Sequence, residues 1–342
     1  MAGISENAGV AESDAVSEVA GQETGVSCPN CGESAPDDAK WCEACGQELS
    51  VEPLPACVSC GEREVAEEGY CLSCGHKQPE ERDHMVFQDG PVVAITDRGK
   101  RHRHNEDSVA IGSNPAGAAV MVVCDGVSST PGSAEASLRA ATAARDLLMA
   151  GLDDPAETAL DLDVLMTAAV EAAQVEASQA TTDESLGASA PYSDGGPPSS
   201  TFVAVAAVPT PEGLSVTTAW VGDSRAYWLG EEPRRLSTED HELEGSLVRW
   251  LGADSIDPTA DIANYTLRGP GHVVVCSDGM WRYADDAAEL NDLVQRLTDE
   301  GTEGVDLAQS LVDHANDGGG HDNISVAVLP HQISVAELPP EK

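Results

Sequence analysis

Residues 118–126 read Ala-Ala-Val-Met-Val-Val-Cys-Asp-Gly: seven apolar residues, then an acid, then a glycine. A short, continuous apolar run closed by a turn signal is the pattern of a strand buried on both faces. The pattern recurs at 272–279, His-Val-Val-Val-Cys-Ser-Asp-Gly. Each run delivers an aspartate, Asp125 or Asp278, to the point where its strand ends.

Outward from these two runs, further strand-like stretches are PVVAIT (91–96), SVAIG (108–112), TFVAVAAV (201–208), LSVTTAWVG (214–222), RAYWLG (225–230) and NISVAVL (323–329). Their β-branched content and Gly, Pro or Asp boundaries favour strands. Ala-rich stretches at 133–150 and 159–180 read as helices, with Ser133 as a candidate N-cap, and 285–315 reads as one or two more. Strands grouped in runs with helices between the groups predict an α+β, antiparallel layering rather than a doubly wound parallel sheet. The stretch at 187–200 reads as a long Gly/Pro/Ser loop.

Further carboxylates sit at strand boundaries: Asp107 in His-Asn-Glu-Asp (104–107), Asp223 in Val-Gly-Asp-Ser-Arg (221–225) and Asp322 in Gly-His-Asp-Asn (320–323). Acids gathered at one sheet edge repel one another unless cations join them. Hard oxygen donors with few histidines suit Mg²⁺ or Mn²⁺. Glycines directly after Asp125 and Asp278 let the backbone pass close to an ion, and the Gly126 carbonyl is itself a candidate ligand. Any single Asp-Gly is also an ordinary turn; it is the recurrence at five strand ends that points to a centre.

Of ten cysteines, eight fall between residues 28 and 74. Cys28, Cys31, Cys42 and Cys45 form one set, and Cys57, Cys60, Cys71 and Cys74 repeat its spacing 29 residues later. Each pair is followed by glycine, which permits the positive φ of a tight turn under two thiolates. Two tetrahedral Cys₄ zinc sites follow, supplying folding energy to modules too small for a core of their own. Disulfides are the alternative, disfavoured by the spacing and by an N-terminus without the marks of a secretion signal. The arrangement resembles tandem zinc ribbons at the termini of bacterial proteins. Cys124 and Cys276 read as core residues.

The 342-residue chain carries a formal charge of −42, which disfavours nucleic acid and anionic membranes as partners. The acidity fits either an acidic or salt-adapted host proteome or a role in metal binding or partner choice. No apolar stretch is long enough for a membrane helix; the cysteine spacing and the N-terminus without the marks of a secretion signal make a reducing, cytoplasmic location the expectation. The expected organisation is an acidic disordered tail (1–26), tandem ribbons (27–76), a charged linker (77–90), a catalytic domain (91–330) and a loose tail (331–342).

From about Ile95 to Val328 the chain resembles the metal-dependent serine/threonine protein phosphatases of type 2C. The matching segments occur in the family's order: Asn105-Glu106-Asp107, Val123-Cys124-Asp125-Gly126, Ser200-Thr201, Trp220 to Tyr227, Leu236 to His241, Leu251-Gly252, Val275 to Trp281 and Asp322 to Val326. The resemblance implies an α-β-β-α sandwich with a two-metal centre, holding Mn²⁺ or Mg²⁺, that acts on phosphoproteins in a kinase-linked pathway. It implies that Asp125 bridges both metals with the Gly126 carbonyl on one, that Asp278 and Asp322 bind the other, and that Glu106 and Asp107 hold a metal or its waters. Asp223 with Asp278 resembles a third-metal site. An activated water would attack phosphorus in line, with no cysteine nucleophile.

The sequence also departs from the family. His102 stands where the family places a phosphate-clamping Arg, leaving Arg101, Arg103 or a protonated His102 as candidates. Val127 replaces a candidate general-acid His. Only nine residues separate His241 from Leu251, so a short flap and an open cleft are expected. An inactive scaffold of the same fold is the alternative; retention of Asp125, Asp278 and Asp322 favours activity. A zinc-ribbon nucleic-acid binder is disfavoured by charge. For the ribbons, docking or regulation is expected.

Overall fold

The computed structural model describes residues 25–28, 30–36, 41–46, 56–66, 69–127, 132–153, 161–180 and 196–332. The acidic segment 1–24, residues 187–195 of the Gly/Pro/Ser loop and residues 333–342 of the tail lie outside them. The chain divides into two compact units, Met1–Gln78 and Pro79–Lys342.

The larger unit contains β1 (His84–Asp89), β2 (Val92–Asp97), β3 (Ser108–Ser113), β4 (Ala119–Cys124), β5 (Phe202–Thr210), β6 (Gly213–Val221), β7 (Arg225–Gly230), β8 (Arg234–Arg235), β9 (Asp261–Leu267), β10 (Gly271–Cys276) and β11 (Ile324–His331). Its helices are α1 (Ser133–Leu152), α2 (Leu162–Ser178), α3 (Asp278–Trp281), α4 (Ala287–Asp299) and α5 (Gly304–Gly318). One sheet has the order β8-β7-β10-β11-β2-β1 and the other β9-β6-β5-β4-β3. Every pairing in both is antiparallel.

Strand periodicity explains the four layers. In β4, Met121 and Val123 face the other sheet, where they meet Val273 and Val275 of β10. The alternate residues Val120, Val122 and Cys124 face the alanine stripe of α1 and α2: Ala140, Ala144, Ala169 and Ala173. On the opposite side, Val274 and Cys276 pack with Leu290 and Leu293 of α4 and Leu311 of α5. The result is an α-β-β-α sandwich with three apolar seams, and it accounts for apolar runs without polar alternation. Cys124 and Cys276 are fully buried in this packing.

Two strands fall where the sequence signal is weakest. Residues 84–89, inside the expected charged linker, form edge strand β1 and pair along β2 from His84↔Asp97 to Asp89↔Val92. The linker expectation is corrected there. Strand β9, Asp-Ile-Ala-Asn-Tyr-Thr-Leu, was not expected at all and closes the edge of the other sheet beside β6. Edge strands expose much of their surface, so their composition turns polar and their apolar signature fades. Ser133 is likewise corrected: the N-cap of α1 is Gly132, with φ 83°, and Ser133 is the first helical residue.

The segment after His241 holds a small hairpin, Glu242–Leu243 against Ser246–Leu247. Its turn residues Glu244 and Gly245 have φ of 52° and 81°, the pattern of a tight type I′ turn. The flap is therefore two residue pairs long.

In the smaller unit the two cysteine sets repeat one local fold. Gly32, Gly46, Gly61 and Gly75 each donate N–H to the carbonyl of Cys28, Cys42, Cys57 and Cys71 at 2.8 Å. Their φ values, 73–78°, need glycine.

Candidate metal centre

Antiparallel pairing explains why the acids meet. Ser108 pairs with Cys124 and Cys276 with Val326. Asp107 before β3, Asp125 after β4, Asp278 after β10 and Asp322 before β11 therefore emerge at one end of the sandwich. Asp223, between β6 and β7, joins them, because Arg225 pairs with Cys276.

A rack of short polar side chains fixes this edge. The Ser277 hydroxyl donates to Asp107 Oδ2 at 2.8 Å and accepts from the Ser325 amide at 3.0 Å. The Asp125 amide donates to Thr201 Oγ1 at 3.0 Å, and Asp125 O accepts from the Thr201 amide at 2.8 Å. Asn323 ties its own loop to the one between β2 and β3: its Oδ1 accepts from the Glu106 amide at 2.8 Å, and its Nδ2 donates to the carbonyls of Arg98 and His104. Ser133 Oγ donates to Glu106 Oε1 at 2.7 Å, tying that carboxylate to the start of α1. Gly279 has a separate reason to be glycine. A Cβ there would collide with the backbone carbonyl of Asn323, so its absence lets α3 approach the loop carrying Asp322.

The electrostatics are those of crowded acids. Burial, with repulsion from Asp322 and Asp278, raises the Asp107 carboxyl to about 7. Burial, then Asp278 and Asp240, raises Asp223 to about 7. Asp125 is pushed well above the ordinary carboxylate range by burial and by Asp107, Asp278, Asp322 and Asp223. Asp322 is raised by burial and by Asp278. Two buried oxygens, Asp107 Oδ1 and Asp278 Oδ1, have no hydrogen-bond partner. Unpaired buried carboxylate oxygens are costly and are the donors a hard divalent cation would satisfy.

The phosphate-clamp candidates separate. His102 reaches the centre, with Nε2 3.1 Å from Asp322 Oδ1. Arg101 and Arg103 are exposed. His321 turns to Tyr283, whose hydroxyl lies 2.7 Å from its Nδ1.

Two arginines at the centre escaped the sequence reading. Arg282 Nε donates to Asp278 Oδ2 at 2.8 Å. Arg82, from the expected linker, donates to the carbonyls of Asn105, Asp107 and Ala134 and to Ser108 Oγ. The i,i+4 step from Asp278 to Arg282 was a readable signal; nothing local marked Arg82. Beside Arg282 lies a cavity of about 440 Å³ lined by Arg225, Glu239, Asp240, Glu242 and Trp281.

Among the described residues, the groups whose ligand atoms all lie within 4.8 Å of one another are the two cysteine sets, not the carboxylates. Sulfur pairs across each set, Cys28–Cys45, Cys31–Cys42, Cys57–Cys74 and Cys60–Cys71, are 3.6–3.7 Å apart, and none of the eight cysteines is in a disulfide. A tetrahedron with Zn–S of about 2.3 Å has edges of about 3.8 Å, so both sets fit zinc. In the second, Gln78 Nε2 donates to Cys57 Sγ at 3.3 Å, a contact the cysteine spacing does not reveal. Burial raises the Cys57 thiol, but N–H donors from Cys60, Ser59 and Gln78 outweigh it and lower it to about 6.

Comparison with known proteins places this geometry. A family model described as protein phosphatase 2C matches residues 96–314, and one described as double zinc ribbon matches residues 28–75. The serine/threonine phosphatase of S. agalactiae superposes with a TM-score of 0.52 at 25% identity, covering 69% of this chain and 97% of that one. PppA, a regulatory component of T6SS in Pseudomonas aeruginosa, gives 0.51 at 21%, covering 70% and 96%. The serine/threonine phosphatase Stp1 of Staphylococcus aureus gives 0.52 at 19%, covering 76% and 99%. At their lower identities the last two speak for the fold alone. Among curated proteins, none matches the chain in sequence.

Proposed function

Because the chain belongs to the protein phosphatase 2C family, we propose that it hydrolyses phosphoserine and phosphothreonine in proteins with Mn²⁺ or Mg²⁺ at the acidic edge of the sandwich. The observation that carries this is the pair of unpartnered buried oxygens, Asp107 Oδ1 and Asp278 Oδ1, among carboxyls of raised proton affinity. Asp125, Asp278 and Asp322 would hold the cations, with Asp107, Glu106 and the Gly126 carbonyl completing the donor set. When bound, a cation pair supplies positive charge that lowers the pKa of water toward neutrality and neutralises phosphoryl oxygens.

The chain's own residues supply orientation. Thr201 fixes the backbone of Asp125, Ser277 fixes one oxygen of Asp107, and Asn323 sets the distance between the Glu106 and Asp322 loops. His102, placed against Asp322, binds phosphate when protonated and released from that carboxylate, with Arg101 and Arg103 on the same loop adding charge. The short flap leaves the cleft open to folded substrates.

The eight cysteines bind two structural zinc ions, and the ribbons dock or regulate; 27–76 and the unit that begins at Pro79, β1 included, act as separable domains. No helix among the described residues is long and apolar enough to cross a membrane. A cytoplasmic setting opposite a serine/threonine kinase completes the proposal. Its test is hydrolysis of a phosphothreonine peptide by the full chain in Mn²⁺. Turnover is expected; binding of the peptide without turnover at any Mn²⁺ concentration would leave the inactive-scaffold reading instead.

A further inference from the structure

Arg282 sits where the acidic edge would otherwise take an additional cation. It follows α3, four residues from Asp278, and its Nε donates to Asp278 Oδ2 at 2.8 Å. Its Nη2 lies 3.8 Å from Asp223 Oδ2. One guanidinium thus spans the two carboxylates that the sequence alone would pair around a third metal.

The placement does not depend on those acids alone. The Arg282 guanidinium lies over the Trp281 ring, 4.9 Å from its centroid. That indole is itself fixed: its Nε1 donates to the Asp223 carbonyl at 2.9 Å, and Arg225 stacks on it at 3.3 Å. Arg225 is in turn held by Asp240 at 2.7 Å. A guanidinium within about 6 Å of an indole centroid is attracted by the ring's quadrupole, so Trp281 presents Arg282 to Asp223 and Asp278 as part of the scaffold. Asp223 is 6% exposed, so its charge needs a nearby partner.

We propose that Arg282 is a built-in cation which replaces a third divalent metal between Asp223 and Asp278, so that the centre takes two Mn²⁺ ions rather than three. This rests on the proposed function, since it assumes that Asp125, Asp278 and Asp322 bind cations. Asp223 then serves as the partner of Arg282 and not as a metal ligand. Asp278 keeps its unpartnered Oδ1 for a metal while Oδ2 stays on Arg282.

The test counts bound Mn²⁺ by titrating free Mn²⁺ with electron paramagnetic resonance on the full zinc-loaded chain. Zinc is measured separately, and circular dichroism confirms folding. Wild type is expected to bind two Mn²⁺. Arg282→Ala is expected to gain a third, weaker site, Arg282→Lys to keep two, and Arg282→Ala with Asp223→Asn to return to two. Three sites in wild type, or no gained site in a folded Arg282→Ala protein, overturns the assignment while leaving the phosphatase reading standing. No Mn²⁺ bound by wild type overturns both.

Discussion

Asp107 and Asp223 each hold a proton up to about pH 7 in the cation-free fold, against an ordinary value of 3.8. The folded state therefore binds more protons than the unfolded chain between these limits, and stability falls as pH rises through that window. Cations at this edge would remove the repulsion behind the shift. The gain in Tm on adding Mn²⁺ should be larger at pH 7.5 than at pH 5, read by differential scanning fluorimetry; an equal gain at both would show that Asp107 does not face the cations. Gly279→Ala should destabilise the fold by about 1–3 kcal/mol through overpacking against the Asn323 carbonyl. For a domain of this size that is a Tm loss of about 2–4 °C per kcal/mol. Asp125 and Asp278 were legible in the sequence because an apolar run ends on each. The contact of His102 with Asp322 was not, since it joins loops 220 residues apart.

At the scale of elements, central strands declared themselves and edge strands did not. β4 is buried throughout and β10 from Val273 onward, so apolar residues, valine foremost, fill those positions. β1 and β9 each have one neighbour and carry His, Gln, Asp, Asn and Thr. That difference hid β1 within an expected linker and, with it, Arg82. Arg82 holds the loop of Glu106 and Asp107 through two carbonyls, Asn105 and Asp107, and ties it to α1 through that of Ala134. We expect Arg82→Ala to weaken Mn²⁺ affinity about 10–100-fold, the range for a group that supports ligands without binding metal. Unchanged Mn²⁺ affinity in a folded variant would reduce Arg82 to a packing role. The two cysteine sets were legible from their spacing, because two thiols on one tight turn leave few geometries; Gln78 on Cys57 was not. Cys57→Ser should lower bound zinc from two equivalents to one, counted by metal analysis.

At the scale of the whole molecule, the −42 charge is spread over a chain whose proposed metal-binding edge is also acidic. Arg282 and Arg225 supply fixed positive charge inside that edge, beside the cavity lined by Glu239 and Glu242. Residues Pro79–Lys342 form a compact unit of their own. Deleting residues 1–78 should therefore leave a folded protein with Mn²⁺-dependent turnover, and any change confined to KM would assign the ribbons to substrate docking. The central claim, hydrolysis at a carboxylate-held cation centre, is tested most directly by Mn²⁺-dependent release of phosphate from a phosphothreonine peptide, with wild type and Asp278→Ala side by side. Wild type should turn over only when Mn²⁺ is added, and Asp278→Ala should lose more than about 100-fold, beyond the loss typical of supporting residues. Equal rates in the two proteins, or wild-type turnover that ignores Mn²⁺, would contradict it.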